Sequence, residues 1–142
     1  KYKTVGATDE VKEGPNYVQV TDNRGTEAGW SLKVKQEGQF KSTSGKELTG
    51  AAITFKNGNV VTASDSGKPT GPATITLNSD GSQSDVMSAA KGNGAGTYLF
   101  DWGTDATTAA KSIELTVPGS TTKYAEKYAT KLTWTLTDAP GN

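Results

Sequence analysis

Apolar and polar residues alternate through stretch after stretch of this chain, and the two clearest stretches, near opposite ends, each carry a tripeptide of the form Trp-x-Leu. Trp30-Ser31-Leu32 opens one and Trp134-Thr135-Leu136 sits in the other, although the 142 residues contain only three tryptophans. In an extended strand, residues i and i+2 share a face. Trp30, Leu32 and Val34 therefore line one face, with Ser31, Lys33 and Lys35 behind them. Leu132, Trp134 and Leu136 line another, with Thr133, Thr135 and Thr137 behind. Both are half-buried strand patterns. If the two strands pair or face one another, two indoles enter one core.

The same period recurs at about 16–21, 29–36, 50–55, 59–63, 73–78, 97–102, 111–117 and 128–137. Turn chemistry separates these segments: Asn23-Arg24-Gly25, Ser44-Gly45, Ser66-Gly67, Asp80-Gly81, Gly92-Asn93-Gly94 and Pro118-Gly119. Asn57-Gly58 between apolar segments predicts a tight hairpin. The expected fold class is all-β, an antiparallel β-sandwich of about eight or more strands with at most short helical turns. Two segments could hold such a turn. Asp85–Lys91 has an acidic start and a Gly stop, and Thr121–Tyr128 spaces two tyrosines four apart, although the following strand competes for Tyr128.

The length fits one domain, so 1–142 is read as a single unit. The apolar fraction is 32% and Gly adds 17 residues, together close to the composition of a folded domain rather than a disordered one. Fifteen bases balance fifteen acids, and Arg24 is the only arginine. A neutral chain with one bidentate donor lacks the field that nucleic-acid binding needs. There is no Cys and no His, which removes disulfides, thiolate chemistry and the usual zinc sites. No apolar run reaches the ~18–20 residues of a membrane span, so no membrane insertion is expected. The chain begins at Lys1, read as the start of a mature or excised segment, and its C-terminal end carries no wall-sorting pattern.

Several segments resemble one known family. Val20-Thr21-Asp22-Asn23-Arg24 running into Gly29-Trp30-Ser31-Leu32 is similar to the Asp-x-Arg segment that leads into a first Gly-Trp-x-Leu in the WxL domain of Gram-positive surface proteins. Ser112–Pro118 looks like that family's penultimate strand, and Tyr128–Pro140 resembles its terminal motif in nearly every position. The stretch 119–127 departs from the pattern, with Tyr124-Ala125-Glu126-Lys127 where a Gly usually precedes the Tyr-x-Ala-Thr strand. The resemblance implies a secreted, extracellular module at the cell wall, attached non-covalently. Its implied ligand is peptidoglycan, with a WxL-interacting surface protein as the alternative partner through which the wall is reached indirectly.

Each candidate site residue has a plain role beside its functional one. Trp30, Leu32, Trp134 and Leu136 either build the core or line a ligand groove, and their alternation favours the core. Contact with a sugar would require one indole at the rim, offering its face. Asp22 and Arg24, two apart, are placed to pair or to clamp a backbone carbonyl; gripping a wall carboxylate is the sharper role for Arg24. Tyr98, Phe100 and Trp102 form an aromatic stripe, and Trp102, bordering a Gly turn, is expected to be the most exposed tryptophan. Asn78–Asp85 clusters oxygens but lacks the ligand series of a calcium loop, so it reads as a polar hairpin loop and no metal or cofactor is expected. Lys33 and Lys35 point outward, which gives an internal isopeptide bond no support. Without His or Cys, and with no carboxylate pair in a recognisable motif, the chain reads as a binding module and not an enzyme.

Overall fold

The computed structural model describes residues 2–5 and 11–140. In chain order the elements are β1 (Tyr2–Val5), β2 (Val11–Gly14), β3 (Asn16–Asp22), β4 (Trp30–Gln36), β5 (Lys41–Ser42), β6 (Ala52–Phe55) and β7 (Gly58–Val61). There follow β8 (Ile75–Thr76), β9 (Gln83–Ala89), β10 (Gly96–Trp102), one helical turn α1 (Ala106–Ala109), β11 (Ile113–Thr116), β12 (Tyr128–Ala129) and β13 (Leu132–Thr137). Three sheets have three strands each, ordered β3-β10-β7, β11-β6-β8 and β13-β4-β9; β1-β2 and β12-β5 are two-stranded. Pairing between these strands is antiparallel throughout. Each of the eight expected segments contains strand, several of them trimmed, but 128–137 is divided between β12 and β13 in different sheets, and β1, β2, β5 and β9 are additional.

The core forms where the inward face of β10 meets the other two three-stranded sheets. Tyr98, Phe100 and Trp102 alternate with more exposed residues and are all buried. Trp30 of β4 lies 6.2 Å from Tyr98, ring to ring, and Phe55 of β6 lies 4.9 Å from Trp102. Val20, Leu32, Val34, Ile53, Ile75 and Leu77 fill the space around them. Burial of each such side chain contributes about 1.5–3 kcal/mol relative to exposure. The first Trp-x-Leu strand thus behaves as its alternation predicts: Trp30, Leu32 and Val34 are buried and Ser31, Lys33 and Lys35 are not.

Three local expectations are corrected. The segment 85–91 is not helical: most of it belongs to β9, which pairs with β4. Leu32 is opposite Met87 but Lys33 is opposite Asp85, so Val86 is an inserted residue in a β-bulge. The bulge lets consecutive Val86 and Met87 both enter the core, and two adjacent buried residues erase the period-two signal. The segment 121–128 also forms no helical turn. Its Tyr124 N–H donates to the Tyr128 hydroxyl at 2.9 Å, and Tyr128 opens β12.

Asn57-Gly58 makes a corner between sheets, not a hairpin. β6 pairs with β11 and β8, whereas β7 pairs with β10. Asn57 adopts the left-handed conformation expected of it, φ 57°. Its carbonyl then accepts from Gly103 N–H at 3.0 Å, and its side-chain amide donates to Ser112 Oγ at 3.1 Å. A Cβ at Gly58 would stand 2.6 Å from the Phe100 ring, so only glycine lets the chain cross there. The helical turn α1 follows from a reciprocal cap: Asp105 Oδ1 accepts from Thr108 N–H at 2.7 Å while Thr108 Oγ1 accepts from Asp105 N–H at 3.1 Å.

Candidate functional site

The two Trp-x-Leu strands are neighbours. β13 pairs with β4 in a register that sets Trp134 opposite Val34 and Leu136 opposite Leu32. Paired residues in antiparallel strands share a face, so both motifs point to the same side of one sheet. They do not share an environment. β4 is the middle strand and β13 an edge, and Trp30 is 2% exposed where Trp134 is 39% and Leu136 53%. The expectation that both motifs are core therefore fails for the second. Core-facing orientation is not burial when the opposing layer ends before the edge strand does.

Trp134 leans on the rim of the core. Its ring centroid is 6.2 Å from that of Trp102 at an angle of 51°. Trp102, expected to be the exposed tryptophan, is only 2% exposed. It ends the central strand β10, with β3 and β7 on either side, and Phe55, Phe100 and Trp134 cover its rings. The neighbouring Gly103, which suggested an open turn, packs against Ala109 of α1. The indole available at a rim is thus Trp134.

Beside Leu136 a cleft of about 550 Å³ opens between the end of β3 and the end of β13, bordered by Val20, Asp22, Arg24, Trp30, Leu136 and Asp138. Trp30 is fixed at its inner side by an indole N–H that donates to the Gly94 carbonyl at 3.0 Å. Gly94 has φ 81°, and a Cβ there would stand 2.6 Å from Trp30 Nε1. The glycine turn at 92–94 is therefore a seat for the first motif tryptophan.

Asp22 and Arg24 do both things expected of them. The guanidinium grips the carboxylate through Nε to Oδ1 at 2.9 Å and Nη2 to Oδ2 at 3.0 Å. Nη2 also donates to the Gly29 carbonyl at 2.8 Å. The pair thereby ties the end of β3 to the residue preceding Trp30. The Arg24 side chain and its backbone N–H hold the Asp22 carboxyl below the usual carboxylate range, against the opposing effect of burial. The Asp22 carboxylate in turn raises the Arg24 pKa, and Asp138 adds to that field.

Of the residues singled out from sequence, Asp22, Arg24, Trp30 and Leu136 meet around this cleft. Trp134 packs at a tilt on buried Trp102 beyond it, and Leu32 lies in the core. Sequence reasoning missed Asp138, whose position past the last strand gives no periodic signal. It also missed a shallow groove of about 740 Å³ on the opposite face of β13-β4-β9, where Ser31, Ser88, Thr135 and Thr137 surround Lys33 and Asp85. Lys33 Nζ lies 3.4 Å from the Asp85 carboxylate there. The polar side of the alternation was the available sign of that groove.

The oxygens of 78–85 turn onto their own backbone: Asn78 Oδ1 accepts from Asp80 N–H at 3.1 Å and Asp80 Oδ1 from Ser82 N–H at 2.8 Å. Among the described residues no group of three or more His, Cys, Asp or Glu could hold a metal ion, and no helix is long and apolar enough to cross a membrane.

The comparisons agree with the motif geometry. The family model for the WxL domain, described as surface cell wall-binding, matches residues 1–140. No curated protein and no solved structure matches the chain. With its two Trp-x-Leu strands paired side by side and the family match running almost end to end, the chain belongs to the WxL family of surface cell wall-binding domains, and its place is extracellular, at the cell surface.

Proposed function

We propose that the wall ligand is peptidoglycan, bound directly and non-covalently along the β13 rim, and that the domain binds without catalysing a reaction. The observation that carries this reading is the exposed Trp134 backed by buried Trp102. An indole held from behind offers a rigid apolar face to the C–H face of a sugar ring. Leu136 continues that apolar surface into the cleft. At its mouth, Arg24 bonds Asp22 and Gly29 through Nε and Nη2, which leaves the Nη1 side of the fork directed elsewhere. A stem-peptide carboxylate is a chemical match for those donors. The Asp22 contact orients the fork in advance.

Retention on purified, protein-free peptidoglycan tests the reading. The wild-type domain is expected to be retained, with at least tenfold weaker retention for Trp134→Ala at an unchanged circular dichroism spectrum. Wild-type domain that washes through would overturn it.

A second reading is docking onto a WxL-interacting surface protein, with the wall reached through that partner. The free edge of β13 favours it, because an unpaired edge is a template for another strand. Retention on intact wall preparations that disappears when the wall is stripped of protein would support this reading over the first.

A further inference from the structure

We infer that β13 is a pairing edge for a second copy of this chain, an interaction that goes beyond wall binding. The Glu37 N–H donates to the Lys131 carbonyl at 2.8 Å, which makes Lys131 and Glu37 a hydrogen-bonded pair one step beyond the β13-β4 register. Such pairs alternate along an antiparallel ladder. Thr133, Thr135 and Thr137 therefore spend their main-chain groups on Lys35, Lys33 and Ser31. The N–H and C=O of Leu132, Trp134 and Leu136 point the other way, and among the described residues no strand pairs with that side.

Natural sheet edges are guarded by charged residues, proline, bulges or very short strands. Leu132–Thr137 contains no charge and no proline, and its pairing with β4 is continuous. It is also self-complementary. A two-fold axis at Trp134 sets Leu132 opposite the second copy's Leu136 and Trp134 opposite its own counterpart. Every residue with outward main-chain groups then meets another such residue, and each pair exchanges two hydrogen bonds. On the other face Thr133 meets the second copy's Thr135, a favourable cross-strand pair. No like charges oppose one another within the strand, and a chain of zero formal net charge adds no overall repulsion.

The product is one continuous sheet, β9-β4-β13 followed by its symmetry mate, with two Trp134 side chains adjacent on one face. A single strand pair buries less than the roughly 1,600 Å² of a standard interface. The association is therefore concentration-dependent and suited to copies crowded on a wall surface.

The test combines sedimentation equilibrium with residue-resolved amide exchange on the wild-type domain, from about 10 μM to about 1 mM. The expected result is a mass rising toward two copies, with exchange at Trp134 and Leu136 slowing at least tenfold while Thr133, Thr135 and Thr137 stay slow at every concentration. Trp134→Lys, which sets two ammonium groups face to face, and Leu136→Pro, which removes an outward N–H and no N–H of the β4 ladder, should each weaken the dimer at least tenfold; retained Thr135 protection verifies the fold. A monomer at about 1 mM overturns the inference. So does a dimer in which the Trp134 and Leu136 amides exchange freely. Protection of those amides only by added peptidoglycan or a partner protein, without self-association, assigns the edge to that occupant and equally overturns it.

Discussion

The two Trp-x-Leu strands make a controlled comparison within one molecule. They share the Trp-x-Leu frame, the facing side and adjacent positions in one sheet, run antiparallel with Leu136 opposite Leu32 and Trp134 opposite Val34, and lie at different distances from the sheet's edge. At β4 the motif is covered, its indole N–H satisfied by Gly94 and its leucine enclosed. At β13 the second indole has Trp102 behind it and solvent in front, and its leucine borders an open cleft. One copy of the pattern builds the scaffold and the other is displayed by it.

Substitutions can break that contrast. The largest effect is expected from Trp30→Ala, about 3–5 kcal/mol lost in urea unfolding, as for other buried aromatic truncations. Gly94→Ala should cost about 2–4 kcal/mol by adding left-handed strain to overpacking against the Trp30 ring. Leu32→Ala should cost about 2–5 kcal/mol and its register partner Leu136→Ala about 1 kcal/mol or less, the cleanest measure of the contrast. If the two leucines cost the same, the edge is covered in solution and the contrast disappears. Trp134→Ala should lose about 1–2 kcal/mol of stability, from half-burial and the Trp102 contact, while losing most wall retention.

The smallest effect is electrostatic and sits where the end of β3 is tied to the residue preceding β4. Asp22 has a lowered carboxyl pKa in the folded chain. Its stabilising contribution is present above the unfolded value of about 3.9 and is lost as pH falls through the folded value. Asp22→Asn should therefore show a shallower decline of stability with acidification than wild type below about pH 4. The measurement is a difference between chains, because Glu37, Asp80, Asp105 and Glu126 carry lowered pKa values as well. An unchanged slope would mean that the Arg24 pair forms in the unfolded chain too.

Much of this architecture is legible in the amino-acid pattern, and the parts that are not share a cause. Period-two alternation reports which side of a strand faces inward, so the inward faces of β4 and, up to Phe100, of β10 read correctly. It carries no information about how far a strand lies from the edge, and for that reason Trp134 and Leu136 read as core. Trp102 failed in the opposite sense, because a neighbouring glycine can mark close packing as well as an open turn. Asn57-Gly58 specified its left-handed backbone correctly, yet strand pairing beyond the corner is decided by tertiary contacts. Val86-Met87 shows the same limit, since the bulge that makes both residues inward-facing is a property of the β4 pairing. Asp22 and Arg24 were legible because their interaction is local, with partners two and five residues away.

The burial of Trp30 and Trp102 against the exposure of Trp134 also gives the domain an optical asymmetry. Two of its three indoles are shielded from aqueous quenchers and the third stands at the proposed contact surface, touching one of the shielded pair. Acrylamide should reach the emission of Trp134 and spare most of the rest. A sugar or a second strand arriving at the rim would then announce itself as protection of that single accessible fluorophore, with no label added to the chain.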